Sequence, residues 1–133
     1  MATALQKTGG VRFIVDGLTA ALGGLGAPAL MAGLCVLTSG LSQFISNTAT
    51  AVLMAPIAFQ SAASLGVLPH AFLMTVAVAA SASFATPVAS PVNTLVLGPG
   101  DYRFGDYLRI GLPMQLLILV ATLLIVPALF PLR

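Results

Sequence analysis

Asp16 and Asp101 are consecutive charged residues, so the 84 positions 17–100 between them carry no formal charge. A second uncharged run of 23 residues lies between Arg109 and Arg133. No soluble fold of this size leaves so much surface without charge. Charged residues make up 6% of the 133 residues and hydrophobic ones 59%, against about 25% charged in an average soluble domain. The sequence predicts an all-helical chain embedded in a membrane.

The same scarcity excludes other classes. A net charge of +2 from five basic residues makes no nucleic-acid footprint, which needs clustered Lys and Arg. One cysteine, Cys35, and one histidine, His70, supply neither a disulfide framework nor the usual zinc ligands. Residues 1–10 contain no apolar core, so no secretory signal peptide is expected. Asp101 and Asp106 have no nucleophile or metal set nearby and read as a solvated loop. With no catalytic constellation, the chain reads as a non-enzyme. His70 reads as an interfacial residue and Cys35 as a packing residue.

Gly, Pro and Ser/Asn/Thr clusters cut the apolar run at definite places. Residues 3–25 predict an amphipathic helix, with Val11, Ile14, Val15, Leu18, Leu22 and Leu25 on one side and Arg12, Asp16 and Thr19 on the other. It reads as an interfacial helix over 1–26. Residues 29–45 reach about 25 Å at helical rise, short of a hydrocarbon core of about 30 Å. They end in Ser46-Asn47-Thr48, and a second short apolar segment, 49–65, follows with Pro56 as an expected break. Two short segments around a polar turn describe a re-entrant hairpin over 27–66, tolerated at membrane depth only where protein or a water-filled cavity covers the turn.

Residues 67–98 predict a discontinuous helix. Pro87 and Pro91 each remove a backbone donor and disfavour helix before them. The unwound segment is expected over 84–93, with a half-helix resuming near Val92. Residues 99–109 form the only charged loop, and 110–133 the terminal transmembrane segment, of which 110–132 make the one conventional spanning helix, about 34 Å long, with Pro113 in its first turn. Asn-Thr occurs at 47–48 and again at 93–94, both at breaks. A broken membrane helix exposes N–H groups that attract anions and carbonyls that coordinate small cations. Ser, Thr and Asn add neutral oxygens and donors, with Thr86, Pro87, Asn93 and Thr94 in the unwound segment. Such breaks can hold a cation and an anion together without a charged side chain. They can also be packing features, since small and polar residues pack membrane helices.

Ser46-Asn47-Thr48 resembles the Ser-Asn-Thr motif of the divalent anion:sodium symporter (DASS) family. Ala80-Ser81-x-x-Phe84-x-x-Pro87-Val88-Ala89-x-x-x-Asn93-x-Leu95-Val96 looks like that family's signature, and Gly98 to Arg109 like its continuation in bacterial members. The resemblance spans essentially the whole chain. It implies the second of two inverted repeats, the C-terminal portion of a multi-pass permease of the cell membrane. It further implies a sodium site of Asn47 with backbone carbonyls near Ser42, Ile45 and Ala89. The small anionic substrate (a dicarboxylate, citrate or sulfate) would meet Ser46, Asn47, Thr48, Ser90 and Pro91, and move by an elevator mechanism in a homodimer. Many relatives have Thr where Ser90 stands; Ser90 keeps the hydroxyl and lacks the methyl. Arg103 and Arg109 against Lys7, Arg12 and Arg133 decide no orientation by charge. Two rival readings stand beside this one: a small membrane scaffold subunit, and an arsenite- or proton-antiport permease of the same superfamily.

Overall fold

The computed structural model describes residues 9–131 and is all-helical over them. The expected start of the first helix at residues 3–8, Lys7 within it, and Arg133 lie outside the described residues. In chain order the helices are α1 (Gly10–Leu22), a 3-10 turn (Gly23–Leu25), α2 (Ala27–Ser42), α3 (Asn47–Leu65), α4 (His70–Ser81), α5 (Pro91–Leu97) and α6 (Phe104–Leu129).

In α1, Val15 is buried and Ile14, Leu18 and Leu22 pack against the core, while Arg12 and Asp16 are exposed. Leu25 lies beyond the helix in the 3-10 turn and is exposed, so it leaves the apolar face. Thr19 returns its hydroxyl to the Val15 carbonyl one turn back.

α2 and α3 form a helical hairpin joined by residues 43–46. The expected break at Pro56 is absent: α3 is continuous for 19 residues. Pro56 cannot donate to the Val52 carbonyl, but Met54, Ile57 and Ala58 beside it are fully buried, and that packing holds the helix through the missing bond. Membrane helices tolerate proline where neighbours support them. Gly66 ends α3 with φ +67°, a conformation that L side chains rarely adopt, and Val67 N–H closes back on the Ala62 carbonyl at 3.1 Å.

α4 lies at the centre, against α2, α3 and α6. Ala71, Phe72 and Val76 of α4 meet Leu30, Met31 and Leu34 of α2 and Ile57 and Ala62 of α3 in one core. Helix then stops at Ser81, earlier than the expected residue 84, and resumes at Pro91. Pro91 occupies the first turn of α5, where its missing N–H has no intrahelical partner to lose. Asn93 and Thr94 therefore lie in α5 and not in the unwound segment, which is residues 82–90.

The last helix begins at Phe104, so half of the expected charged loop is helical. Asp106 explains the early start: its carboxylate accepts from the Arg103 backbone N–H at 2.8 Å, and its own N–H donates to the Arg103 carbonyl at 3.0 Å. Pro113 consequently lies well inside α6 instead of in its first turn. α6 buries Gly111, Gln115, Thr122 and Val126 on one stripe. Its other faces expose Ile110, Leu116, Leu117, Leu124 and Leu129, a surface suited to lipid. Among the described helices α3 and α6 are long and apolar enough, by length and composition, to cross a membrane, whereas the sequence predicts that of α6 alone.

Candidate site at the hairpin turn and the helix break

The hairpin turn brings the C-terminus of α2 to the N-terminus of α3. Of the last carbonyls of α2, those of Gly40 and Leu41 accept from the N–H groups of the turn and that of Ser39 from the Ser42 hydroxyl, while the first N–H groups of α3 lack intrahelical acceptors. The turn thus presents partial negative and partial positive charge within a few residues of chain. Ser46 is the N-cap of α3 and accepts from Ala49 N–H at 3.4 Å. Ser46 and Thr48 are exposed and Asn47 is half-buried.

Asn47 carries the link to the break. Its Oδ1 accepts from the Ser83 hydroxyl at 2.7 Å. A second link runs from the Thr86 hydroxyl to the Gln43 backbone carbonyl in the turn, also 2.7 Å. The turn and the break, 36 and 43 residues apart along the chain at these contacts, therefore form one site.

The break is also closed from within. Asn93 Nδ2 donates to the Ser83 and Thr86 carbonyls, each at 3.2 Å. Thr94 Oγ1 donates to the Pro87 carbonyl at 2.7 Å and approaches the Ser90 carbonyl at 3.2 Å. These side chains supply donors to carbonyls that the unwound chain leaves open. α5 has no buried residue, so hydrogen bonds, and not packing, hold it to the break.

The remaining sequence-predicted residues divide clearly. Ser42 is fully buried and turns its hydroxyl back to the Ser39 carbonyl at 2.9 Å. Ile45 is exposed at the turn, and Ala89 and Pro87 are buried in the break. Ser90 is the half-buried N-cap of α5, and Pro91 beside it is exposed. Asn47 and Thr86 are the residues that join turn to break; Ser46 and Thr48 face outward from the turn.

Several participants escaped the sequence reading. Ser83 is buried and bridges the two Asn-Thr pairs: its hydroxyl reaches Asn47 and its carbonyl accepts from Asn93. Gln43 Nε2 donates to Gln115 Oε1 at 2.8 Å and to the Ser39 carbonyl at 3.3 Å. Gln115 Nε2 in turn donates to Ser39 Oγ. Tyr107 donates its hydroxyl to the Asn93 carbonyl at 2.9 Å. A lone Gln in an otherwise apolar spanning segment was the available signal for Gln115. A largely apolar cleft of about 320 Å³ lies between the break, α5 and α6, lined by Phe84, Asn93, Tyr102, Asp106, Tyr107 and Gly111 among others. It does not reach Ser46, Asn47 or Thr48.

Chemically, the Asn47 amide has a second acceptor lone pair and two donors beyond its bond to Ser83. Together with the exposed N-terminus of α3 and the carbonyls of the turn, it can serve an anion and a small hard cation at once.

The sequence matches the family model described as "Citrate transporter" (CitMHS) over residues 1–133. It is 53% identical to the uncharacterized transporter YfbS of Escherichia coli over 130 residues, 98% of this chain and 21% of that protein. An uncharacterized transporter of Synechocystis is 44% identical over 126 residues, 95% of this chain and 21% of that protein. The sodium-dependent dicarboxylate transporter SdcS of Staphylococcus saprophyticus is 32% identical over 91 residues, 68% of this chain and 18% of that protein. The chain spans about a fifth of the length of these relatives. All are transporters and none is an enzyme by name. The full-length family match, with the motifs at the turn and the break, shows that the chain belongs to the citrate transporter family of membrane transport proteins.

Proposed function

We propose that this chain is the C-terminal portion of a secondary transporter that carries a divalent anion, a dicarboxylate, citrate or sulfate, together with sodium. The observation that carries this reading is the joining of turn and break through Asn47 and Ser83. It gathers the ends of three helices around uncharged oxygens and donors, which is the chemistry of a midplane site for an ion and its counter-ion. SdcS is named for sodium-dependent dicarboxylate transport, and the same substrate class and coupling ion are assigned here by similarity.

In this reading Asn47 contributes to both ligands. Its Oδ1 and the carbonyls near Ser42, Ile45 and Ala89 serve sodium, and Ser46, Asn47, Thr48, Ser90 and Pro91 meet the anion. Sodium offsets the cost of bringing a dianion into a low-dielectric site, so each ligand raises the affinity of the other. α2 and α3 act as a re-entrant hairpin, α4–break–α5 as a discontinuous span, and α6 as a membrane span. An inverted repeat elsewhere in the transporter supplies the other half of the site. The assembled protein is a multi-pass homodimer of the cell membrane that works as an elevator.

The test is uptake of succinate, citrate and sulfate into proteoliposomes by the complete transporter, with and without a sodium gradient. Asn47→Ala is expected to abolish sodium-dependent uptake while leaving the amount of folded protein unchanged. Uptake by Asn47→Ala with unaltered sodium dependence overturns the assignment. The 133-residue chain alone is expected to transport nothing, because half of the site is missing.

A further inference from the structure

Tyr107, Gly111 and Gln115 follow one another at intervals of four residues on α6, so they lie on successive turns of one helix face. Each meets a different part of the candidate site. Tyr107 bonds the Asn93 carbonyl in α5. Gly111 lies so close to the Phe84 carbonyl and Ala85 that a Cβ there would collide with backbone. Gln115 bonds Gln43 and Ser39 at the end of α2.

The last of these contacts is the most informative. Gln115 and Gln43 are both more than nine-tenths buried, among apolar helices. Burying two amides is costly unless they are paired, and each Nε2 here has acceptors: Gln43 reaches Gln115 Oε1 and the Ser39 carbonyl, and Gln115 reaches Ser39 Oγ. Both donor positions of Gln43 are committed, which fixes the orientation of its amide and leaves its Oε1 without a protein partner. Gln43 also offers its backbone carbonyl to Thr86. One residue thus joins α6 through its side chain to the break through its main chain. It stands four residues before Asn47.

We infer that Gln115 is a positioning residue: acting through Gln43, it fixes the hairpin turn against the break and so sets the geometry of the site around Asn47. With Tyr107 and Gly111 on the same face, α6 is the rail that holds turn, break and α5 in register. The effect on sodium coupling rests on the transport reading above; the positioning itself does not.

The experiment uses the complete transporter with Gln115→Met, which keeps an unbranched chain of similar length and removes both hydrogen bonds. Thr122→Val is the control on the same face, because Thr122 bonds only the Ile118 carbonyl of its own helix. Gln115→Met is expected to raise the sodium concentration for half-maximal uptake by about three- to tenfold, the range that loss of interhelical hydrogen bonds in a membrane protein supports. Amide exchange over 43–47 and 82–90 is expected to accelerate by a similar factor. Thr122→Val changes neither. Gln43→Met removes the bond to Gln115 from the other side, and because each glutamine also bonds Ser39 on its own, the double variant is expected to be worse than either single one by clearly less than the sum of the two. Unchanged exchange in Gln115→Met, or effects that add in the double variant, overturns the inference. A loss of protein amount or maximal rate with no shift in sodium dependence indicates a merely structural role and also overturns it. If the unaltered transporter shows no sodium-dependent uptake, the transport reading fails, and the exchange data alone decide the positioning role.

Discussion

The Ser83 hydroxyl donates to Asn47 Oδ1 at 2.7 Å and ties the first turn of α3 to the helix break. Ser83 is buried and has a small side chain, so its replacement by Ala removes the bond with little change in packing. One hydrogen bond of this kind contributes about 1 kcal/mol net. Ser83→Ala is expected to lower the thermal midpoint of the protein in detergent by a few degrees. Its larger effect is on the freed amide, which can rotate: under the sodium coupling proposed above, half-maximal uptake should require several-fold more sodium. Sodium titration of uptake checks this, and an unaltered titration would remove Ser83 from the site.

Asn93 stands one helix turn past the break and closes it, with both amide protons given to the Ser83 and Thr86 carbonyls. This commitment makes its role within the fold separable from contact with a ligand. Asn93→Ala leaves two carbonyls without donors, at a cost of about 1–3 kcal/mol each where water is excluded. The expected outcome is faster amide exchange over 82–90 and a lower thermal midpoint. Asn93→Asp, which keeps the size and loses the donors, should behave like Asn93→Ala. Asp behaving like the native Asn would show that the amide donors do not close the break.

Gly111 tests the contact between α6 and the break. A Cβ at this position would run into the Phe84 carbonyl and the Ala85 backbone, and backbone cannot move aside as a flexible side chain can. Overpacking of this kind costs about 1–3 kcal/mol. Gly111→Ala should therefore lower the thermal midpoint more than Gly105→Ala, since Gly105 has open space around its would-be Cβ. Equal midpoints for the two variants would mean that α6 and the break separate freely.

Much of the fold was legible because it depends on local chemistry. The uncharged run announced a membrane protein, and Ser46-Asn47-Thr48 and the Pro87–Pro91 pair marked the two interruptions. Boundaries were less legible. Asp106 reads as a loop charge until its carboxylate is seen on the Arg103 N–H, where it starts α6 at Phe104. The connections were not legible at all. Gln43 to Gln115 spans 72 residues and Ser83 to Asn47 spans 36, and no periodicity or spacing encodes a hydrogen bond between residues that only folding brings together.

Pro56 is the sharpest disagreement and supplies a last prediction. Its ring and missing N–H read as a break, yet α3 continues from Asn47 to Leu65. The fully buried Met54, Ile57 and Ala58 outweigh a local cost of about 3 kcal/mol for proline in a helix interior. If packing alone overrides the proline, Pro56→Ala restores the donor to the Val52 carbonyl and relieves the ring's clash. The thermal midpoint should then rise by several degrees, with uptake retained. A lower midpoint would show that the helix is built around the proline bend. A higher midpoint with uptake lost would make Pro56 a hinge that the transport cycle uses.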